Sequence, residues 1–132
     1  MRRDGLTDNE RHDQGMALRR TVLGPEYVDR ATANATEFTA DYHDFITRAS
    51  WGDVWSRPGL DLRSRSIAAI TSLIAHGHRD ELVLHIRGAL NNGVTVDEIK
   101  EVIMQAGIFS GFPAALGAFR IANEFFESES LP

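Results

Sequence analysis

The sequence of residues 61–93 is DLRSRSIAAITSLIAHGHRDELVLHIRGALNNG, and the spacing of its apolar side chains predicts two consecutive helices. The first helix carries an apolar stripe formed by Ile67, Ile70, Leu73 and Ile74. The second carries a matching stripe formed by Leu82, Ile86, Ala89 and Leu90. Asp61 is suited to cap the first helix, Gly77 to end it, and residues 91–93 to end the second. Both stripes are typical of helices that pack on a core.

Similar signals divide the rest of the chain. We expect further helices from Thr7 to about Thr21, over residues 26–35 and 38–48, from Thr95 to Gly107, and from Pro113 onward, with a loop over residues 51–61. Two of these helices begin with a capping box, at Thr7 to Glu10 and at Thr95 to Glu98. Apolar and polar residues do not alternate with period two, so no strand is expected. The sequence therefore predicts an all-α bundle of about six helices, in a single domain over residues 1–132 with a loose tail over residues 127–132.

Composition limits the classes of protein to which this chain of 132 residues can belong. Its 14 Lys and Arg face 19 Asp and Glu, giving a net charge of −5, and Lys100 is its single lysine. A protein that follows nucleic-acid phosphates carries a basic excess, so nucleic-acid binding is not expected. The absence of cysteine excludes disulfides, thiolate nucleophiles, iron–sulfur clusters and cysteine-ligated zinc.

Apolar runs in the sequence are short. The longest strictly apolar runs, such as residues 67–70, are far below the roughly 20 residues that a membrane-spanning helix needs. No apolar stretch follows Arg2 and Arg3, so no secretory signal is expected. We therefore expect a cytoplasmic protein without a membrane partner.

Aromatic residues recur at helical spacing in one segment and cluster in another. One face of the predicted helix over residues 38–48 carries Phe38, Tyr42, Phe45 and Ile46. A second set, near the C terminus, is expected to lie in the core: Phe109, Phe112 and Phe119.

A glutamate and a histidine are spaced for proton transfer on the second helix of residues 61–93. Glu81 and His85 are four residues apart, so the carboxylate can accept the imidazole N–H one turn later and raise its basicity. His85 is therefore a candidate proton donor or acceptor near neutral pH. The alternative is a core histidine that is satisfied by a neighbour, because Leu82 and Ile86 share its side of the helix.

A metal site on this helix would also need His78. His78 and His85 are seven residues apart, which is about 10.5 Å along a helix axis. This separation is too large for one ion to be bound by both imidazoles. We therefore expect no metal.

Three arginines and two tryptophans lie in or beside the predicted loop over residues 51–61: Arg57, Arg63, Arg65, Trp51 and Trp55. Guanidinium groups bind carboxylates and indole rings supply apolar surface, so this combination suits a small anionic molecule. The alternative is that the arginines cap helix carbonyls while the tryptophans fill a core or a subunit contact. Composition alone leaves both possibilities open.

Several short segments match one known family in both order and spacing. They are residues 51–66 (WGDVWSRPGLDLRSRS), Glu81-Leu82 with His85, residues 89–95 (ALNNGVT), Glu98-Ile99, residues 105–115, and, at the front, residues 15–20, 22–24 and 28–31. Together they resemble the carboxymuconolactone decarboxylase family, within the alkylhydroperoxidase-D-like superfamily. The resemblance covers nearly the whole chain.

This resemblance implies an alkylhydroperoxidase-D-like helical fold that forms a homo-oligomer, either a hexamer or a trimer. It also implies a carboxy-lyase that converts 4-carboxymuconolactone, a small anionic lactone, into 3-oxoadipate enol-lactone in protocatechuate catabolism. No metal or organic cofactor is implied. The site residues expected on this basis are His85 as general acid, Glu81 as its orienting partner, Arg57 and Arg65 as carboxylate binders, and Trp51 and Trp55 as an apolar wall.

Another branch of the superfamily reduces peroxides with the motif Cys-x-x-Cys-x-x-x-His. Its histidine falls on His85, its two cysteines fall on His78 and Glu81, and its relay glutamate falls near Ser66. Because this chain has no sulfur at these positions, disulfide-based peroxide reduction is impossible. The decarboxylase branch is therefore the consistent choice.

Four positions depart from the family pattern. Family members often have Tyr-Cys before the Gly-x-Pro motif, Asn after it and His near residue 120. This chain instead has Phe109, Ser110, Leu116 and Arg120. If these residues contact the substrate, the alternative is another small carboxylated lactone or acid. The non-enzymatic alternative is a helical oligomeric binding module that has lost the chemistry.

Overall fold

The computed structural model describes residues 5–131, and all regular structure within that range is helical. The elements are α1 (Asp8–Leu23), α2 (Pro25–Ala33), α3 (Ala40–Ile46), a π-helix (Thr47–Trp55), α4 (Leu62–His76), α5 (Arg79–Asn91), α6 (Val96–Ser110) and α7 (Phe112–Ser128). The predicted all-α fold class is confirmed. The chain divides into two compact units, Met1–Leu60 and Asp61–Pro132.

In the first unit, α1 begins at the predicted capping box. The Glu10 amide donates to the Thr7 hydroxyl (3.2 Å), and the Thr7 amide donates to the Glu10 carboxylate (2.7 Å). Two backbone N–H groups that have no partner within the helix are thereby satisfied. α1 ends at Gly24, whose φ of 95° favours glycine. Pro25 then starts α2 in the first turn, where its missing N–H costs nothing.

The prediction of a loop over residues 51–61 is wrong for residues 51–55, because α3 continues directly into a π-helix that ends at Trp55. Its main chain touches that of α1. A Cβ at Gly15 would lie 2.3 Å from the Thr47 carbonyl oxygen, and one at Gly52 would lie 2.5 Å from the Arg11 carbonyl oxygen. Only glycine allows such an approach at both points. The contact joins residues far apart in sequence, so local periodicity does not reveal it.

The second unit contains a core to which α4, α5, α6 and α7 all contribute. Its buried residues are Ile70, Ile74, Leu82, Ile86, Ala89, Val94, Ile99, Ile103, Ala106, Ala115, Ala118, Ala122 and Phe125. Asp61 caps α4 by accepting a hydrogen bond from the Ser64 amide (2.7 Å). Hydrogen bonds from the side chain and amide of Ser64 lower the pKa of the Asp61 carboxyl. The predicted stop at Gly77 and capping box at Thr95 are both confirmed.

The expectation that Phe109 and Phe112 are core residues is wrong, since they are 81% and 75% exposed, whereas Phe119 is half-buried against the core. The reason is the close packing of α6 on α7. A Cβ at Gly107 would lie 2.8 Å from the Ala115 Cβ, which leaves no room for a ring between the helices. The predicted end of this helix at Gly107 is wrong, because α6 continues to Ser110. In the first unit, the large exposed apolar residues include Phe38, Tyr42 and Phe45.

The predicted loose tail over residues 127–132 begins later than expected, because α7 continues to Ser128. Pro132 lies outside the described residues, as do Arg2 and Arg3. That residues 1–132 form a single domain stays a prediction. No helix formed by residues 5–131 combines the length and apolar character needed to cross a bilayer.

Candidate active site

Glu81 and His85 lie one turn apart on α5, as their spacing predicts. His85 is half-buried beside the core residues Leu82 and Ile86. Its Nδ1 atom is shielded from solvent, whereas Glu81 is exposed. Burial lowers the pKa of the His85 imidazole, and the negative charge of Glu81 opposes this effect. The imidazole is therefore mostly neutral at pH 7, and its protonated form is a stronger acid than an ordinary imidazolium.

His78 does not extend this pair into a metal site. It precedes the first residue of α5, and its ring stacks on that of His76 with centroids 5.9 Å apart. Among residues 5–131, no group of three or more histidine, cysteine, aspartate or glutamate side chains is arranged to hold a metal ion. The Glu81–His85 pair is suited to proton transfer and hydrogen bonding.

Ser66 on α4 is hydrogen-bonded to the residue that follows α5. The Asn92 side-chain amide donates to the Ser66 hydroxyl (2.9 Å) and to the Leu62 carbonyl (3.4 Å). Ser66 is fully buried, so the bond between these two side chains is shielded from water. It fixes the first turns of α4, which include the half-buried Arg65, against the helix that carries His85.

The two tryptophans of the π-helix form a buried stack. The ring centroids of Trp51 and Trp55 are 4.8 Å apart, the ring planes are inclined by 20°, and the residues are 5% and 9% exposed. A four-residue separation brings the rings together because they lie on the same side of the helix. The stack is enclosed by protein, and its role as an apolar wall for a ligand stays a prediction.

The three arginines within residues 57–65 differ in their surroundings. Arg57 is exposed, and its backbone amide donates to the Val54 carbonyl (3.0 Å). Arg63 forms an ion pair with Glu98, so its guanidinium already has a carboxylate partner. Arg65 is half-buried on α4. The roles of Arg57 and Arg65 as carboxylate binders stay predictions.

Sequence patterns did not single out two buried polar side chains, Arg19 on α1 and Thr47 at the start of the π-helix. They are 5% and 1% exposed. Arginine and threonine are common at exposed helix positions, so their residue types give no sign of burial. The only local signal is that the buried residues Val22 and Leu23 lie one turn after Arg19, on the same side of α1.

Known proteins resemble the chain along most of its length. The model of the carboxymuconolactone decarboxylase family matches residues 40–124. A 4-carboxymuconolactone decarboxylase of Acinetobacter baylyi is 43% identical over 122 residues, which cover 92% of this chain and 91% of that protein. A nitrosuccinic acid decarboxylase of Metarhizium robertsii is 42% identical over 122 residues, which cover 89% of this chain and 85% of that protein.

The family match extends well beyond a single motif. Residues 40–124 include the π-helix with its tryptophan stack, the first turns of α4, and the Glu81–His85 pair on α5. The two relatives agree with the match over most of their own length. The chain therefore belongs to the carboxymuconolactone decarboxylase family.

Proposed function

We propose that this protein removes CO₂ from 4-carboxymuconolactone and releases 3-oxoadipate enol-lactone, a step in the catabolism of the aromatic acid protocatechuate. The observation that carries the proposal is the 43% identity, over 92% of the chain, to a 4-carboxymuconolactone decarboxylase. The family match over residues 40–124 includes all the residues to which we assign a role in the reaction.

The proposed substrate carries the electron sink that its decarboxylation needs. The bond to the leaving carboxylate breaks, and its electron pair passes through the ring C=C into the lactone carbonyl, giving a dienolate. A proton then adds to the carbon next to that carbonyl, which yields the enol-lactone. We propose that no cofactor takes part, because the lactone accepts the electron pair that an organic cofactor takes up in other decarboxylases.

We assign the proton delivery to His85. The lowered pKa of its imidazole makes the protonated form a stronger acid, which favours transfer to the carbon of a dienolate. Glu81 lies one turn earlier on α5, and its charge favours that protonated form. We propose that Glu81 also orients the ring, as a carboxylate does when it accepts an imidazole N–H.

We assign the binding of the substrate to four residues that precede the proton donor in the chain. Arg57 and Arg65 would bind carboxylates, since a guanidinium offers two parallel N–H groups to the two oxygens. Trp51 and Trp55 would supply an apolar surface, where the charge of the departing carboxylate is less stable than in water. This combination lowers the barrier to CO₂ loss while the rest of the substrate is held in place.

A second candidate is decarboxylation of another small activated acid. The 42% identity to a nitrosuccinic acid decarboxylase favours it, because a nitro group accepts an electron pair as a lactone carbonyl does. The four positions that depart from the family pattern would favour this second candidate if they contact the substrate. Phe109, Leu116 and Arg120 are exposed, and Ser110 is half-buried at the end of α6.

We propose that the protein is a cytoplasmic homo-oligomer, either a trimer or a hexamer. Support comes from large exposed apolar residues near the junction of α6 and α7, namely Met104, Ile108, Phe109, Phe112 and Leu116. Exposed apolar surface of this extent marks interaction sites. The net charge of −5 disfavours a nucleic-acid partner, so the expected partners are further copies and the small anionic substrate.

The direct test is an assay with 4-carboxymuconolactone, made in situ from protocatechuate by the upstream enzymes. CO₂ release and enol-lactone formation are followed with and without a chelator. Turnover that persists after chelation supports decarboxylation without a metal. If the folded protein turns over nitrosuccinate but not the lactone, the second candidate replaces the first. A folded oligomer that is inert toward both acids is the result expected of a binding module.

A further inference from the structure

Asn92 and Gly93 form the single Asn-Gly pair of the sequence, at the C-terminal end of α5. Asparagine followed by glycine is chemically labile, because glycine has no side chain to hinder attack by its backbone nitrogen on the asparagine side chain. The other four asparagines precede alanine, asparagine or glutamate. In an unfolded chain, the asparagine expected to lose its side-chain nitrogen fastest is therefore Asn92.

The reaction at this pair is a deamidation whose only co-reactant is water. The Gly93 nitrogen gives up its proton and attacks Cγ of Asn92. A new N–C bond forms, and the side-chain nitrogen leaves with that proton as ammonia. Water then opens the resulting cyclic imide at either of its two carbonyl carbons. One opening gives aspartate at residue 92, and the other gives isoaspartate, in which the side-chain carbonyl has become part of the main chain.

The main chain at the end of α5 is held in a conformation that prevents this attack. The Gly93 amide donates to the Leu90 carbonyl (3.1 Å). The Val94 amide donates to the Ala89 carbonyl (2.9 Å), and the two bonds together form a Schellman motif. Asn92 has a ψ of 8°. Closing the imide ring needs a rotation about its Cα–C bond by well over a right angle, and both hydrogen bonds oppose this rotation.

The side chain of Asn92 is held as well. Its amide nitrogen donates to Ser66 Oγ (2.9 Å) and to the Leu62 carbonyl (3.4 Å), both on α4. Ser66 is fully buried, so water does not compete for its oxygen. The nitrogen that must leave as ammonia is thus bound within the contact between α4 and α5. In the folded protein, both the attacking and the leaving nitrogen are engaged in hydrogen bonds.

We propose that Asn92 is a deamidation site whose reaction is controlled by opening of the contact between the end of α5 and the first turns of α4. While this contact is closed, neither nitrogen is free to react. When it opens, residues 92 and 93 behave as they do in an unfolded chain. Because closing is fast compared with deamidation, the observed rate is proportional to the fraction of open molecules. The proposal does not depend on which reaction the protein catalyses.

Either product prevents the contact from closing as before. A carboxylate at residue 92 has no N–H group, so it cannot donate to the Leu62 carbonyl or to Ser66 Oγ, and its charge faces the carbonyl oxygen. Isoaspartate lengthens the main chain at residue 92 by one carbon, which displaces the Gly93 and Val94 amides from their acceptors. Deamidation is therefore expected to be an irreversible step that loosens the first turns of α4.

The test follows deamidation of the full-length protein at mildly alkaline pH, where the attacking nitrogen loses its proton more readily. The mass of the proteolytic peptide that contains residue 92 is measured, because replacement of NH₂ by OH increases it. Deamidation is expected to be at least about 100-fold slower in buffer than in concentrated urea, since a contact closed by several hydrogen bonds opens rarely. Asn123, which precedes a glutamate, is the internal reference and is expected to stay intact in both conditions.

Two variants separate local opening from unfolding of the whole chain. Ser66→Ala removes the buried acceptor of the Asn92 amide, and it is expected to accelerate deamidation roughly 10-fold, in line with the loss of one buried hydrogen bond. Ile70→Val is the matched control, because it shortens a fully buried core residue one turn later on α4 and leaves the contact intact. Its rate is expected to stay within about twofold of wild type. The stability of both variants is measured by urea unfolding.

Four results would overturn the proposal. They are an unfolded chain that does not deamidate at residue 92, equal rates in folded and unfolded protein, equal rates in Ser66→Ala and wild type, and equal acceleration by Ile70→Val and Ser66→Ala at equal loss of stability. The last result would assign the reaction to global unfolding. If Ser66→Ala does not fold, the wild-type rate is measured in low urea instead. A rate that follows the full urea dependence of unfolding would contradict a local opening.

Asn92→Asp reproduces one of the two products and tests the predicted consequence. Amide hydrogen exchange over residues 62–66 is expected to be faster in this variant than in wild type, because the bonds to the Asn92 side chain are lost. Asn123→Asp is the matched control, since it makes the same change at an exposed position on α7. Exchange over residues 62–66 that is equally slow in Asn92→Asp and wild type would show that the product does not loosen the contact.

Discussion

The main chain at Gly15 lies so close to Thr47 that a Cβ at residue 15 would be 2.3 Å from the Thr47 carbonyl oxygen. One turn earlier on α1, the Arg11 guanidinium binds the Asp53 carboxylate of the π-helix at 2.5 Å. The position of the π-helix on α1 is therefore fixed by a backbone contact and an ion pair. The tryptophan stack, which lies within the π-helix, depends on both.

Gly15→Ala is expected to destabilise the protein by at least about 2 kcal/mol, because the new Cβ forces the two main chains apart. The near-ultraviolet circular dichroism of the Trp51–Trp55 stack is expected to change with it. Gly59→Ala is the control, since a Cβ there has no atom within 4 Å and the glycine does not have a positive φ. Equal stability and equal spectra for Gly15→Ala and wild type would show that the contact is not tight.

His85→Asn is expected to lower kcat about 100-fold, because amide and imidazole are similar in size but only the imidazolium can donate a proton. Turnover of the lactone and thermal unfolding are measured together, so that lost activity is not confused with lost structure. His78→Asn serves as the control, because His78 is exposed and its side chain does not cap α5. Unchanged turnover in His85→Asn would remove His85 from the mechanism.

Stability is expected to fall with acidification in a way that depends on His85. Burial lowers its pKa below the ordinary value of 6.5, so the unfolded chain takes up this proton before the folded protein does. The favourable contribution of the neutral imidazole is therefore complete above about pH 6.5 and is lost as the pH falls below that value. Urea unfolding between about pH 5 and 8 is expected to show a flatter dependence for His85→Asn. Parallel curves for the two proteins would contradict the role of burial.

The rate is expected to change with pH in the opposite direction to stability. Only the protonated imidazole donates, so kcat/KM is expected to decrease as the pH rises past the lowered pKa of His85. The measurement is a pH profile of kcat/KM on the lactone in a protein that stays folded throughout. A profile that rises over this range would identify His85 as a base instead of an acid.

Asn92→Ala is expected to cost about 1–3 kcal/mol, because it leaves the fully buried Ser66 hydroxyl without its donor. In urea unfolding, a double-mutant cycle with Ser66→Ala is expected to give a coupling energy of about 1 kcal/mol. Asn123→Ala is the control, since it removes an exposed bond to Glu127 and should change stability by less than about 0.5 kcal/mol. Additive effects at residues 66 and 92 would mean that their hydrogen bond is not formed in solution.

Replacing Phe109 and Phe112 with serine is expected to convert the proposed oligomer into smaller species without unfolding the chain. These rings are 81% and 75% exposed, so removing them creates no cavity in the described chain while reducing the apolar surface available for association. Mass is measured by light scattering after size exclusion. Glu124→Ser, at an exposed polar position on α7, is the control. An unchanged mass for the double variant would place the subunit contact elsewhere.

Helix starts and stops could be predicted from the sequence because they depend on neighbouring residues. Thr7, Asp61 and Thr95 each accept a hydrogen bond from an amide three residues later, a geometry that residue type and spacing determine locally. Gly77 ends α4 in the left-handed region, which again is a property of one residue.

The π-helix could not be predicted in this way, because it packs through Gly15 and Gly52, which are far apart in the chain. The exposure of Phe109 and Phe112 was missed for a related reason. Spacing reports which residues share a helix face, but not whether that face meets another helix of the same chain. Phe109 and Phe112 are exposed because the gap between α6 and α7 is too narrow for a ring. The width of that gap depends on both helices together.

In the candidate site, too, some features could be predicted from the sequence and others could not. The Glu81–His85 pair is implied by a four-residue spacing on a helix, so sequence alone finds it. Arg19 is different, since an arginine on a helix gives no sign in the sequence that it is only 5% exposed. Which arginine of several is buried depends on how the helices pack against one another. Only the three-dimensional arrangement contains that information.

The contact between Gly107 and Ala115 constrains how this chain can change over evolution. A larger residue at position 107 would meet the Ala115 Cβ at 2.8 Å, so it becomes acceptable only if position 115 loses its own methyl group. The two positions are therefore expected to vary as a pair among descendants of this sequence, with the summed side-chain volume conserved. If both side chains become larger, α6 and α7 must move apart. The core residues that lie between these two helices must then be repacked.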